Sequence, residues 1–226
     1  MMEIRWLGHS AFALTHDGTT VLVDPFLTGN PKGVVSAEEV EADAILLTHG
    51  HQDHGPEDAV AIAKRTGATI QAITEIAGEL GEEGVTTIDT NVGGTATYDW
   101  GSCRLTPAFH TSTTPKGTVT PAAGLVIELG GVRVYHLGDT ALFSDLALPS
   151  QRDPIDVAII PIGGHYTMDR TDAVVAAKLV GAKVVIPCHY GTFPPIETDV
   201  AAYKSEVEAA GHAEVVVLEP GESWSA

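Results

Sequence analysis

Three histidines and an aspartate fall within six residues in Thr48-His49-Gly50-His51-Gln52-Asp53-His54-Gly55, directly after the apolar run Ala44-Ile45-Leu46-Leu47. Buried without an ion, four polar side chains this close would leave several donors and acceptors unpaired, each costly away from water. Neutral imidazole and carboxylate are ligands that suit zinc, manganese and iron. A strand ending in a glycine-flexed loop lets ligands two and four positions apart converge. The competing reading is a solvated histidine-rich loop. The buried-type strand before the segment and the helix start at Pro56-Glu57-Asp58 after it weigh against that, so the segment reads as a metal-binding loop.

The H-x-H-x-D-H pattern resembles the metallo-β-lactamase fold superfamily, and the other parts such a protein needs occur in order along the chain. Val21-Leu22-Val23-Asp24-Pro25 resembles the strand and supporting aspartate that precede the motif. His110, in Ala108-Phe109-His110-Thr111, stands where a third histidine of the first metal site belongs. Asp139, in His136-Leu137-Gly138-Asp139-Thr140, resembles the bridging aspartate, and His189, in Pro187-Cys188-His189-Tyr190-Gly191, the final histidine of the second site. Five ordered motifs over nearly the whole chain are far more specific than any one of them. Within the superfamily, Trp6-Leu7-Gly8-His9-Ser10-Ala11-Phe12 and Gly163-Gly164-His165-Tyr166-Thr167-Met168 are most similar to a group of small metal-dependent hydrolases (UPF0173-like). That group is related to lactonases acting on sugar-acid phosphates and to phospholipase D-like members acting on N-acyl phospholipids. The resemblance implies an α/β fold, a four-layer αββα sandwich of the metallo-β-lactamase type, and hydrolysis; it leaves the substrate open.

Carried onto this sequence, the resemblance implies His49, His51 and His110 for one ion and Asp53, His54 and His189 for a second, with Asp139 bridging both. Two divalent ions per chain are expected, Zn2+ first, with Mn2+ or Fe2+ as alternatives because His/Asp sites accept each according to supply. Three protein ligands and a shared carboxylate leave a position open on each ion. Ions about 3.5–4 Å apart would lower the pKa of a bridging water, and the metal-bridging hydroxide would cleave an ester-type bond in a small molecule: a lactone, phosphodiester or thioester, with an amide also open. Asp53 is a candidate catalytic residue as well, orienting the nucleophile through its free oxygen. Asp24 reads either as accepting a proton from a ligand histidine or as a turn residue before Pro25. His9 and His165 are needed to complete neither site. Each is a candidate catalytic residue, as general acid or substrate contact, with loop hydrogen bonding as the alternative; both are expected to approach the ions without coordinating them. His16, His136 and His212 are expected to be solvated or packed. Tyr166 and Tyr190, beside site histidines, read as pocket wall.

Bulk properties narrow the function classes. At 226 residues, 44% apolar and 19% charged, the chain suits one α/β domain over residues 1–226. No apolar run approaches the roughly 20 residues of a membrane span, and the start Met1-Met2-Glu3-Ile4-Arg5 lacks a signal pattern, so a cytoplasmic protein is expected. Thirty acidic and twelve basic residues give a net charge of −18, which opposes polyphosphate backbones and anionic membrane faces. The expected partner is therefore a small-molecule substrate, with no nucleic acid and no membrane insertion; homo-oligomerisation is left open. Two cysteines, Cys103 and Cys188, are too few for a disulfide framework and read as buried thiols.

Strand-type runs recur at Ile4–Leu7, Phe12–Thr15, Thr20–Asp24, Ala44–Thr48, Thr69–Ile73, Cys103–Phe109, Leu125–Leu129, Val132–Leu137, Val157–Pro161, Lys183–Pro187 and Glu214–Leu218, with helical patterns at Glu57–Arg65, Glu75–Leu80, Asp169–Leu179 and Thr198–Ala209. Early hairpin-like strands followed by strand–helix alternation predict a layered α/β domain. The segment 58–68 aligns without gaps on 172–182 with seven of eleven positions identical. Each copy follows an apolar strand and a Gly-His loop and ends at a helix-stopping glycine, which predicts two facing pseudo-equivalent halves with their loops at one edge.

Three other functions compete with a hydrolase. A redox di-iron protein on the same fold is disfavoured because its relatives carry Glu where His51 stands and append a flavin domain. An RNA-processing nuclease is disfavoured by the acidic balance. A non-catalytic metal-binding protein stays open, because fold does not establish turnover.

Overall fold

The computed structural model describes residues 1–226. Fourteen strands form two seven-stranded sheets. The first is ordered β14-β1-β2-β3-β4-β5-β6, and the second β13-β12-β11-β10-β9-β8-β7. In the first sheet β1 (Glu3–Gly8), β2 (Ala11–His16) and β3 (Thr19–Val23) form an antiparallel meander; β4 (Ala44–Leu46), β5 (Thr69–Ile73) and β6 (Thr87–Thr90) then add in parallel. The second sheet repeats this plan. After the edge strand β7 (Thr95–Tyr98), the antiparallel β8 (Gly101–Pro107), β9 (Ala123–Leu129) and β10 (Val132–His136) are followed by the parallel β11 (Val157–Pro161), β12 (Val184–Cys188) and β13 (Glu214–Val215). The last strand, β14 (Ser223–Ser225), crosses back to pair with β1.

The internal repeat falls on equivalent places in the two halves. Helix α1 (Pro56–Thr66) joins β4 to β5, and the corresponding helix joins β11 to β12 at Arg170–Val180, which is α4 after α2 (Thr74–Gly81) and the short α3 (Leu148–Arg152). Both repeat helices stop at a left-handed glycine, Gly67 (φ 81°) and Gly181 (φ 64°), a conformation open to glycine at little cost. Helices α1 and α2 cover the first sheet; α4 and α5 (Val200–Ala209) cover the second. This is the αββα sandwich the sequence predicts. Sixty-one buried apolar residues form one continuous cluster between the layers, and no helix is long and apolar enough to cross a membrane.

The eleven expected strands are all present, several with ends shifted by one or two residues. The largest shortenings are in β4, which ends at Leu46 instead of Thr48, and in β13, which is Glu214–Val215 instead of Glu214–Leu218. Three strands were not legible: β6, β7 and β14. All three are short, rich in Thr or Ser, and lie at sheet edges. An edge strand with one solvated side carries no apolar run or clean alternation to mark it.

Strand direction explains where the functional loops gather. Because β2 and β9 are antiparallel to both neighbours, β1, β3, β4, β8, β10, β11 and β12 run with their carboxyl ends toward one edge of the sandwich. The segments that follow them contain, in chain order, His9, Asp24, His49–His54, His110, Asp139, His165 and His189. At that edge the sheets are stitched by backbone bonds from Ala123 N–H to Thr48 O (2.9 Å) and from His189 N–H to His9 O (3.1 Å).

Candidate metal centre

Each ligand-bearing segment has a local cause for its shape. Asp53 and His54 lie in a single 3-10 turn, Gln52–His54, closed by Gly55 at φ 69°. A Cβ on Gly55 would fall 2.3 Å from Pro25 O, so the loop reaches its position only with glycine there. His9, Asp24 and His189 adopt φ of 57°, 43° and 52°, a left-handed conformation that costs non-glycine residues about 1–3 kcal/mol and clusters at functional sites. Trp6 Nε1–H donates to His9 O at 3.0 Å, and its ring stacks on Phe12 and Tyr190. The His9 turn is thereby fastened to the core. Phe109 N–H donates to Thr140 Oγ1 (3.0 Å) and Ala141 N–H to Phe109 O (3.1 Å), which ties the His110 loop to the Asp139 loop.

The side chains converge in overlapping groups. Ligand-capable atoms of His49, His51 and His110 lie within 4.8 Å of one another; so do those of His9, Asp53, His54 and His189, and those of His49, His54 and Asp139. Asp139 Oδ2 is the common point. It lies 3.1 Å from His189 Nε2, 3.3 Å from His54 Nε2, 3.5 Å from His110 Nε2 and 4.0 Å from His49 Nε2. His49 Nε2 and His51 Nδ1 face each other at 3.0 Å.

A further layer sets the imidazole tautomers. Asp24, fully buried, accepts from Thr48 N–H (2.8 Å), Thr48 Oγ1–H (2.6 Å) and His54 Nδ1–H (2.7 Å). With one proton held on Nδ1 by Asp24, His54 turns Nε2 toward Asp139, where that nitrogen carries a proton in the ion-free cluster and would present its lone pair to a bound cation. Since the Thr48 hydroxyl donates to Asp24, it accepts from His49 Nδ1–H at 3.0 Å, and His49 presents a bare Nε2. Asp24 thus takes the supporting role, and it also occupies the turn before Pro25, where Phe26 N–H donates to Asp24 O at 2.7 Å. Both sequence readings of this residue hold at once. Thr48 and Thr192 were not singled out from sequence, because a lone threonine beside a ligand carries no pattern.

Several buried atoms have no hydrogen-bond partner: His54 Nε2, His189 Nδ1 and Nε2, Asp139 Oδ1 and His9 Nε2. Native interiors rarely leave polar atoms in this state. Bare imidazole nitrogens and carboxylate oxygens converging on one point fit divalent cations of the zinc, manganese and iron type.

The electrostatics follow from burial and proximity. Burial opposes charge on His54, but the Asp139 and Asp24 carboxylates outweigh it and raise its pKa well above the usual imidazole value. Burial pushes His49 well below that value, and the charged His54 adds to the effect; burial also depresses His110 and His136. For Asp139 burial favours the neutral acid, yet His189 and His54 hold the carboxyl well below its usual range. Asp53 is held low in the same way, burial being overcome by its contact with His9 and by His54. The ion-free cluster therefore holds a buried imidazolium–carboxylate pair at His54 and Asp139, and a bound cation would take the place of the proton.

His9 is completely buried. Its Nδ1 lies 3.0 Å from Thr192 Oγ1, and its Nε2 faces Asp53 Oδ2 at 3.4 Å. Burial depresses its pKa to about 4 despite Asp53, so the neutral ring is the form present near neutral pH. His165 differs. The Gly164–Met168 turn closes on itself through Gly164 N–H to Met168 O and Thr167 N–H to Gly164 O, and His165 lies exposed at its tip (φ 58°), its ring against Tyr166. The structure brings His9 to the ligand group and leaves His165 outside it. Tyr166 lines the cleft over the site. Tyr190 is buried against Trp6, and His136 is packed inside, its Nε2–H donating to Ser10 O (3.3 Å) while Nδ1 accepts from Gly138 N–H (3.1 Å). Both cysteines are buried free thiols.

Two facing seven-stranded sheets with this cluster at one edge define the metallo-β-lactamase fold, and the family model described as the beta-lactamase superfamily domain matches residues 3–189. A UPF0173 metal-dependent hydrolase of Symbiobacterium thermophilum is 47% identical over 99% of this chain and 100% of its own length; one from Thermococcus onnurineus is also 47% identical, over 98% of each chain. The solved structure of Igni18, a metallo hydrolase from Ignicoccus hospitalis, superposes with a TM-score of 0.89 at 39% identity, covering 100% of this chain and 99% of that one. The chain belongs to the beta-lactamase superfamily and, within it, to the UPF0173 metal-dependent hydrolases.

Proposed function

We propose that the protein hydrolyses an ester-type bond (lactone, phosphodiester or thioester) in a small molecule, using two divalent ions of which zinc is the first choice. The observation that carries this reading is Asp139 Oδ2, placed between four imidazole nitrogens from both ligand groups. His49, His51 and His110 would hold one ion, Asp53, His54 and His189 the other, and Asp139 would serve both. Ions so held supply Lewis acidity toward the substrate oxygen and lower the pKa of water toward neutrality.

The chain's own residues supply the rest. Asp24 and Thr48 hold the Nδ1 protons of His54 and His49, so that Nε2 is the nitrogen left for the ions, and such outer partners raise ligand basicity and fix ring orientation. Asp53, about one-third exposed in its side chain, reaches the floor of the cleft, where a free oxygen can orient a nucleophile. His9, braced by Thr192 and facing Asp53, would position that carboxylate or serve as a general acid toward the substrate. His165, exposed at the tip of its turn beside the cleft-lining Tyr166, would act on the substrate and not on the ions. The −18 charge supports a small-molecule substrate over a nucleic acid.

Metal analysis and an activity screen test this together. Two ions per chain are expected in the wild type and one fewer in each of His110→Ala and His189→Ala. If both variants kept two ions at full affinity, the ligand assignment would be wrong. A fully loaded protein inert toward lactones, phosphodiesters and thioesters would overturn the reaction.

A further inference from the structure

The site opens through two joined hollows. A space of about 340 Å³ over His110 and Asp139 shares His51, Asp53 and Tyr166 with an outer cleft of about 740 Å³. Apart from His51 and Asp53, which belong to the ligand group, the outer cleft has one ionisable acid in its lining, Glu57; Tyr166, Phe193 and Pro115 supply apolar surface.

No side chain compensates Glu57, which is offset only in part by its place in the first turn of α1. On α1, α2 and the 112–120 loop and just after α2 stand Glu57, Asp58, Glu75, Glu79, Glu82 and Glu83 with Lys64, Arg65 and Lys116, and Arg65 is taken by Glu41. Lys64 pairs with Glu83 at 3.3 Å and Lys116 with Glu82. Glu79 accepts from the Thr114 and Thr118 hydroxyls and from Lys116 N–H, which fastens the loop. Glu57, exposed on the first turn of α1, has no ion pair or hydrogen bond to its carboxylate.

Resting on the ester reading above, we propose that the substrate carries an uncharged or cationic group where it occupies the outer cleft, and that Glu57 selects against anionic flanks. The ions favour negative charge at the reacting oxygen; Glu57 acts farther out, on the part of the substrate that extends past Asp53. There, aromatic faces at Tyr166 and Phe193 suit an apolar chain or an ammonium group, while a carboxylate or phosphate would meet an unpaired carboxylate on a strongly acidic protein.

The test compares three phenyl esters that differ only at the far end of the acyl chain: phenyl hexanoate, monophenyl adipate and phenyl 6-(trimethylammonio)hexanoate. Each is assayed with the zinc-loaded protein and corrected for its hydroxide-catalysed rate. The expected kcat/KM for the hexanoate exceeds that for the adipate by about tenfold at low salt, the gap shrinks at high salt, and the trimethylammonium ester is at least as good as the hexanoate. Glu57→Gln should narrow the gap to about twofold and Glu57→Lys should invert it, with metal content unchanged in both. Turnover of the adipate as fast as the hexanoate, or a preference that survives Glu57→Lys, would overturn the inference and leave the ester reading standing. Inertness toward all three phenyl esters would overturn the inference, and the ester reading falls only if lactones, phosphodiesters and thioesters are inert as well.

Discussion

Replacing Asp24 by asparagine changes a single atom's chemistry at the base of the site, and the consequence can be followed bond by bond. Asp24 accepts three hydrogen bonds at 2.6–2.8 Å and is fully buried. Asparagine keeps the shape but offers one oxygen and one NH2 group. If the oxygen takes the bond from Thr48 N–H, the NH2 group faces His54 Nδ1, and two donors oppose each other. The relief open to His54 is to carry its proton on Nε2, the nitrogen that faces Asp139 at 3.3 Å, and a protonated nitrogen cannot ligate. Forcing the ring back into the ligating tautomer should cost about 1.4–2.7 kcal/mol, or 10–100-fold in affinity, the range found for such outer partners. The site that uses His54 should weaken by that factor; the His49/His51/His110 site, which feels Asp24 only through Thr48, should weaken less. Competition titration of zinc against a chromophoric chelator near neutral pH resolves the two constants. Binding of both ions within twofold of wild type would refute the tautomer account.

Other perturbations test neighbouring parts of the same structure. His9→Gln and Thr192→Val should retain both ions and lower kcat by about tenfold or more, the worth of one hydrogen bond to a charged group; loss of an ion from either would make His9 a ligand. The ion-free protein should be most stable near pH ~6.5, the unfolded imidazole pKa. On the acid side, His9 (about 4), His49, His110 and His136 have depressed folded pKa values, so the unfolded chain binds more protons and stability falls as pH drops. On the alkaline side, His54 has a raised folded pKa, so its contribution is complete below the unfolded value and is lost as pH rises through the folded one. Tm measured across pH in a chelator checks this, and a Tm that climbs steadily into the alkaline range would contradict it; zinc should abolish the alkaline fall, because ligation favours deprotonated His54. Gly163→Ala would place a Cβ 2.2 Å from His189 O. It should destabilise the fold by about 1–3 kcal/mol and release the ion proposed above to be held by His189, as differential scanning calorimetry with metal analysis would show.

Much of this protein was determined by the sequence alone. Spacing within 49–54 makes a ligand loop under local constraint, since a strand end, a glycine and a 3-10 turn act over a few bonds. The apolar periodicity of the interior strands and of α1 and α4 follows from which faces they bury, and the two copies of the repeat landed on matching helices. His110, Asp139 and His189 stand out as candidates because each follows an apolar run and the family pattern supplies their order, and the structure brings both histidines within 3.5 Å of Asp139 Oδ2.

Tertiary structure decided what depends on approach between distant segments. That Asp24 is a brace as well as a turn residue depends on Thr48 and His54, 24 and 30 residues away, and Thr192 finds His9 across 183 residues; no local pattern encodes such pairs. His9 and His165 look alike in sequence, each after a glycine and each left-handed. They part because β1 delivers His9 between the sheets, where Trp6 holds its turn, while the Gly164–Met168 turn bonds to itself and leaves His165 in solvent. The short edge strands were equally hidden, since their pairing rests on a neighbour's backbone and not on side chains of their own. The candidate ligands are thus written in local chemistry, and their orientation arises only when the two sheets close on one another.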